Sequence, residues 1–229
     1  MVKIGISLRY NHLSDGRCIL YLGERVRRTF QSAGAFIIPI VQGGDYDYAD
    51  SKYEESIELT DKEKESIDKY LDMVDGVVFP GGFKITIFDE YLLERCIERD
   101  IPTLGICLGM QLMSNYKRKF KVEENNSFVK HKQEDDNLLT HKIIVGKDST
   151  LYEILGKDEI MVNSFHKYHV LDNEYFNVVA RSEDGYIEAI EMKNKKFILG
   201  IQWHPEISYN LDLNSKKLID HFVNICKDK

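Results

Sequence analysis

The chain has 229 residues, 43% of them hydrophobic and 30% charged, and a formal charge of −7. That apolar share excludes wholesale disorder, and the acidic balance weighs against a nucleic-acid binder, which carries a net basic footprint. No apolar run approaches the ~20 residues of a membrane helix, and Cys18, Cys96, Cys107 and Cys226 show neither a disulfide framework nor a zinc spacing, so a reducing, cytoplasmic setting is expected.

Residues 2–8 are a short β-rich run and read as a first strand, not a signal peptide. Residues 19–33 carry Ile19, Leu22, Val26 and Phe30 at helical steps, with Gly34 where a C-cap glycine sits. Residues 35–41 are apolar without interruption, as strands buried on both faces of a parallel sheet are. The acidic, tyrosine-rich segment 42–59 reads as surface loop, with a lid as the alternative; its Gly43-Gly44 lacks the flanks of a phosphate loop. Thr60-Asp61-Lys62-Glu63 has the form of a capping box and opens a helix to about Leu71. Residues 74–79 form the next strand, ending in Pro80-Gly81-Gly82. A helix over 87–99 leads to a strand over 103–106, then Cys107, then a helix over 108–116.

This alternation predicts an open, mostly parallel sheet flanked by helices. Residues 117–137 are highly charged and read as exposed. Strands are expected over 141–145, 159–162, 176–181, 186–192 and 197–202, and a last helix over 213–226. No repeat or linker interrupts the chain, so one α/β domain over residues 1–229 is expected, with extra antiparallel strands in its second half.

Three motifs carry chemistry. Gly105-Ile106-Cys107-Leu108-Gly109 has the form of a nucleophile elbow with cysteine in place of serine. The turn aims the sulfur over the carboxyl edge of the sheet, near a helix N-terminus that favours thiolate. A buried cysteine between two packing glycines is the alternative. Gly200-Ile201-Gln202-Trp203-His204-Pro205-Glu206 ends an apolar run. A cysteine nucleophile needs a base, and the base needs an orienting group; an extended backbone would turn His204 and Glu206 to one side. A structural histidine beside a solvated glutamate is the alternative. Pro80-Gly81-Gly82 lies at the same edge, where the N–H groups of Gly82 and Leu108 could form an oxyanion hole; an ordinary βα turn would look the same.

FPGG at 79–82, GICLGMQ at 105–111 and GIQWHPE at 200–206, in this order, resemble the class I glutamine amidotransferase family. The resemblance implies a triad of Cys107 as nucleophile, His204 as general base and acid, and Glu206 orienting it. It further implies an oxyanion hole at Gly82 and Leu108, and substrate contacts from Gly81 and Gln111. Val162-Asn163-Ser164-Phe165-His166 and Asp184-Gly185-Tyr186-Ile187-Glu188-Ala189 resemble the gamma-glutamyl hydrolase branch, including gamma-glutamyl-gamma-aminobutyrate hydrolases. That likeness places Asn163, Ser164, Phe165 and His166 in a substrate pocket; a capped turn is the alternative for Ser164 and His166. Glu188 reads as a charge on an exposed strand face.

Three features depart from that branch: the stretch after the PGG turn is short, Asn115-Tyr116-Lys117-Arg118-Lys119 stands in place of a glycine-rich stretch after the elbow helix, and His166-Lys167-Tyr168 stands where His-His-Gln is usual. All three regions face the substrate. The implied reaction is hydrolysis of a small-molecule γ-glutamyl amide through a thioester, with no metal or organic cofactor. The alternative is a glutaminase subunit feeding ammonia to a separate synthase. His166 and His169 could suggest a metal pair, but no Cys/His/carboxylate set accompanies them, so no metal site is expected. Nucleic acid and membrane are not expected partners, and a homo-oligomer is compatible with the sequence. Cys18, Cys96 and Cys226 read as helix-borne core or idle thiols.

Overall fold

The computed structural model describes residues 1–42, 58–135 and 139–227. In chain order the strands are β1 (Val2–Ser7), β2 (Arg9–His12), β3 (Cys18–Tyr21), β4 (Ala35–Ile40), β5 (Gly76–Phe79), β6 (Thr103–Ile106), β7 (Glu123–Glu124), β8 (His141–Val145), β9 (Glu159–Val162), β10 (Tyr168–His169), β11 (Asn177–Ser182), β12 (Ile187–Glu191) and β13 (Ile198–Ile201). The helices are α1 (Glu24–Ser32), α2 (Asp61–Met73), α3 (Ile87–Glu98), α4 (Leu108–Ser114), α5 (Thr150–Leu155), α6 (Pro205–Ser208) and α7 (Leu213–Ile225).

Nine strands form one sheet in the order β4-β1-β5-β6-β13-β12-β11-β8-β9. The first five run parallel and the last four add on antiparallel. Every residue of β5, β6 and β13 is buried, as expected of central parallel strands with helices on both faces. Side-chain alternation divides their apolar residues between two cores. Val78, Leu104, Ile106, Leu199 and Ile201 pack with residues of α1, α5 and α7. Val77, Phe79 and Ile198 pack with residues of α2, α3 and α4 on the other face. The predicted capping box at Thr60 and Glu63 forms, and a second one, Thr86 with Asp89, starts α3.

Three expectations are corrected. Residues 19–21 belong to a hairpin, not to α1: Asp15-Gly16 supplies the turn, Gly16 at φ 84°, and β3 pairs with β2. Gly23, with extended backbone, is the N-cap that delays the helix to Glu24; Cys18 accordingly lies on a strand. The charged segment 117–137 is not simply exposed, because His131 and Gln133 are buried. Glu188 is not on an open face either: all five residues of β12 are buried and Glu188 is 0% exposed. Most of the segment 42–59 lies outside the described residues.

Candidate active site

Sheet order brings the three motifs together. β5, β6 and β13 are neighbours, with Phe79 beside Gly105 and Ile201 beside Ile106. Pro80, Cys107 and His204 therefore follow the carboxyl ends of adjacent parallel strands, where open α/β sheets bind ligands.

Cys107 sits at φ 52°, ψ −101°, as the residue before α4. Its N–H donates to the Ile201 carbonyl at 2.8 Å, and its own carbonyl accepts from Gln111 N–H at 3.0 Å. The flanking glycines are there because nothing else fits: a Cβ on Gly109 would lie 2.1 Å from the Phe79 carbonyl oxygen, and one on Gly105 2.7 Å from the Gly109 carbonyl carbon. The geometry is that of a strained strand-to-helix elbow.

His204 Nδ1 lies 2.6 Å from Glu206 Oε1. The pair does not arise from an extended backbone, as expected from spacing. Residues 205–208 turn into α6, with Pro205 at its start, His204 before it and Glu206 in its first turn. Thr29 of α1 donates to the Glu206 carbonyl at 3.0 Å, which ties α6 down. Glu206 occupies Nδ1, so the other ring nitrogen is left for the Cys107 sulfur, the two residues meeting over Gly81. A Cβ placed on Gly81 would be 3.6 Å from both His204 Nε2 and Cys107 Cβ, and 2.7 Å from His204 Cε1; Gly81 is thus held bare against the pair. Burial works against the imidazolium of His204, but the Glu206 carboxylate and the Cys107 sulfur outweigh it and hold its pKa well above the ordinary value. By contrast, burial pushes the Cys96 and Cys226 thiols up to about 12, as suits idle core cysteines.

The resemblance implied substrate contacts from Asn163, Ser164 and His166, and the structure gives each of these side chains partners within the protein. All three side chains are buried, at 3% exposure or less. Asn163 clamps the backbone of His204: its Oδ1 accepts from His204 N–H at 2.8 Å, while its Nδ2 donates to the His204 carbonyl at 2.8 Å and to Ser208 Oγ at 2.7 Å. Ser164 Oγ donates to the His131 carbonyl at 2.7 Å. His166 lies in a buried cluster with His131 and Glu188. Phe165 is half-buried and sets its ring edge-on to His204, with centroids 5.7 Å apart. Gln111 lies on the first turn of α4, buried beside the elbow. Gly82 neighbours Leu108, whose Cδ2 would be 3.4 Å from an added Cβ.

Sequence reasoning missed Arg9 and Asp89. Arg9 Nε and Nη2 donate to the Pro80 carbonyl at 3.0 and 2.8 Å, and Nη1 pairs with Asp89 Oδ1 at 2.9 Å. Ser7 Oγ donates to the same carboxylate oxygen at 2.7 Å. The Arg9 and Asp89 side chains are only 2% and 1% exposed, so a buried ion pair fixes the orientation of the PGG turn. Both residues stand in unremarkable sequence, and only the capping-box spacing of Thr86 and Asp89 offered a signal. A cavity of about 520 Å³ bordered by Tyr91, Glu94 and Tyr116 lies elsewhere, and none of the motif residues lines it.

Comparison with known proteins gives the chain its relatives. YvdE of Lactococcus lactis, which is named as glutamine amidotransferase-like, is 30% identical over 186 residues, covering 70% of this chain and 78% of that protein. The CTP synthase of Sulfurisphaera tokodaii is 33% identical over 183 residues, which cover 66% of this chain and 34% of that longer enzyme. The glutaminase domain of Trypanosoma brucei CTPS, solved with bound acivicin, superposes with a TM-score of 0.67 at 16% identity, covering 100% of this chain and 95% of that one. Fold and sequence therefore define a class I glutamine amidotransferase-like hydrolase domain. The profile of one family, Peptidase C26, matches residues 85–206, and the chain belongs to that family. Among the described residues no helix is long and apolar enough to cross a membrane.

Proposed function

We propose that the chain is a free-standing hydrolase of γ-glutamyl amides, working through a Cys107-His204-Glu206 triad within one catalytic domain over residues 1–229. The observation that carries the reading is the His204–Glu206 contact of 2.6 Å beside the strained Cys107 elbow. In this mechanism the Cys107 sulfur attacks the γ-carbonyl carbon. The N–H groups of Gly82 and Leu108 receive the developing oxyanion, each such donor contributing ~3–4 kcal/mol in comparable sites. His204 gives its proton to the departing amine, leaving a γ-glutamyl thioester. It then takes a proton from water, whose oxygen attacks the thioester and frees glutamate and Cys107. Gly81, Gln111 and Phe165 border the site and are assigned to the glutamyl group.

The likeness of residues 162–166 to the gamma-glutamyl hydrolase branch supports a substituted amide as substrate. The scattered Cys18, Cys96, Cys107 and Cys226, without a CxxC spacing, suit a reducing cytoplasm. A second reading, a glutaminase subunit that supplies a separate synthase, draws support from the likeness to CTP synthase. Glutamate release by the purified protein alone, from glutamine and a panel of γ-glutamyl amides with Cys107→Ala as blank, separates the two. Fast release from one substituted amide and little from glutamine is expected. No release from any of them, with Cys107 still alkylated by a glutamine-like electrophile, would replace the first reading by the second.

A further inference from the structure

Behind the 163–166 segment lies a cluster that the triad does not use: His131, His141 at the start of β8, His166, and Glu188 of β12, none more than 3% exposed. Three imidazole nitrogens converge on one carboxylate oxygen. From Glu188 Oε1, His141 Nε2 is 3.2 Å away, and His131 Nδ1 and His166 Nε2 are each 3.5 Å away.

The outward nitrogens decide what the inward ones carry. His166 Nδ1 is 3.0 Å from the Tyr168 carbonyl oxygen, which only accepts, so Nδ1 bears the hydrogen. Asn125 Nδ2, 3.3 Å from the same nitrogen, has a nearer acceptor in the His166 carbonyl at 3.1 Å. His131 Nε2 lies 2.9 Å from Asp184 Oδ2, and this carboxylate keeps a hydrogen there. In their neutral forms both rings then turn bare lone pairs inward, His131 Nδ1 and His166 Nε2 facing each other at 3.2 Å beside a carboxylate. Lone pairs gathered this closely repel unless a cation sits among them. One proton relieves one such contact; a divalent ion relieves all of them together.

The dimensions suit a metal. The ligand atoms of His131, His141 and Glu188 lie within 4.8 Å of one another. Metal bonds of about 2.0–2.1 Å in a tetrahedron put ligand atoms about 3.3 Å apart; the three contacts to Glu188 Oε1 and the one between His131 and His166 match this, and the wider separations, up to 4.8 Å among His131, His141 and Glu188, would have to close around the ion. Two of the three histidines have a supporting partner of the right kind, a carboxylate on His131 and a backbone carbonyl on His166, while the outward nitrogen of His141 has none among the described residues. Glu188 Oε2 is buried with no hydrogen-bond partner among the described residues. One divalent ion balances Glu188 and Asp184 with all three imidazoles neutral.

We propose that His131 Nδ1, His141 Nε2, His166 Nε2 and Glu188 form a closed structural site for one divalent transition-metal ion, zinc being the best match to this donor set. The ion would tie β8 and β12 to the 163–166 segment. The His131 carbonyl already accepts from Ser164 Oγ and from His166 N–H, at 2.7 and 2.9 Å. The site thus stands directly behind Asn163, the clamp on His204, without touching the reacting atoms.

The test is to load the purified full chain with zinc, remove free metal by dialysis and count bound zinc by mass spectrometry. Melting is then followed with and without a strong chelator. One zinc per chain, a melting point lowered by the chelator, and loss of the metal in His141→Gln but not in His221→Gln are expected. Cobalt in place of zinc should give the intense visible absorption of a four-coordinate ion. Should His141→Gln not fold, competition between the unaltered protein and a chromophoric zinc chelator decides. Sub-stoichiometric binding there, or a melting point indifferent to the chelator, overturns the site, whatever the outcome of the glutamate-release assay.

Discussion

Replacing Cys107 by glycine should stabilise the protein relative to replacing it by alanine, while both variants lose turnover. At φ 52°, ψ −101° the residue lies outside the regions open to side-chain-bearing residues. Holding a non-glycine residue in such a conformation costs about 1–3 kcal/mol. Alanine keeps its Cβ and so keeps that cost, whereas glycine sheds it. Against this, glycine gives up about 0.5–1 kcal/mol to alanine through greater freedom in the unfolded chain. The difference leaves glycine ahead by about 1 kcal/mol, and in a chain of this size that is about 2–4 °C in melting temperature. Both variants lack the thiol, so altered interactions with His204 cancel in the comparison. Calorimetric melting of the two side by side reads the difference. At an unstrained position alanine would win, so a glycine variant melting below the alanine variant refutes the strain argument.

Arg9→Met should cost about 3–5 kcal/mol in urea unfolding, because it strands a buried Asp89 carboxylate. Adding Asp89→Asn should recover much of that loss, and a double variant no more stable than the single would contradict the ion-pair account. Because His204 holds its proton more tightly folded than unfolded, its contribution to stability is fully present below about pH 6.5 and is lost as pH rises through the folded value. Unfolding free energies measured across that range should fall, and fall less in Glu206→Gln; equal slopes would remove Glu206 as the holder of that proton. Gly109→Ala, whose Cβ would meet the Phe79 carbonyl oxygen at 2.1 Å, should destabilise by about 3 kcal/mol, the upper end of the usual overpacking cost, and an unchanged melting temperature would contradict the close packing at the elbow.

The parallel half of the fold was legible because uninterrupted apolar runs and helix signals there reflect local physics. The strand over Thr103–Ile106 and the capping box at Thr60 stand where composition puts them. The hairpin of β2 and β3 was hidden because Ile19 and Leu22 mimic a helical step, and only Asp15-Gly16 marked the turn. The motif residues could be found because each chemistry demands particular neighbours within a few positions. The bonds of Asn163 to the backbone of His204 were not legible, because sequence likeness shows that a residue matters without showing which way it points. Arg9, Asp89, His131 and Glu188 act across long sequence separations, and such pairings are set by sheet order. A buried Glu188 in particular contradicts the ordinary behaviour of glutamate on a strand, and only its histidine partners explain it.

β13 is late in the chain yet central in the sheet, inserted between β6 and β12. Until it arrives, the facing edges of β6 and β12 stand open with their N–H and C=O groups unpaired. A nascent chain on the ribosome therefore keeps both edges open until the segment bearing His204 has emerged, and β13 closes that gap as it brings His204 beside Cys107. Slow translation or truncation within that window should favour aggregation over partial activity, since the edge that seeds misassembly and the gap in the reactive centre are one and the same place.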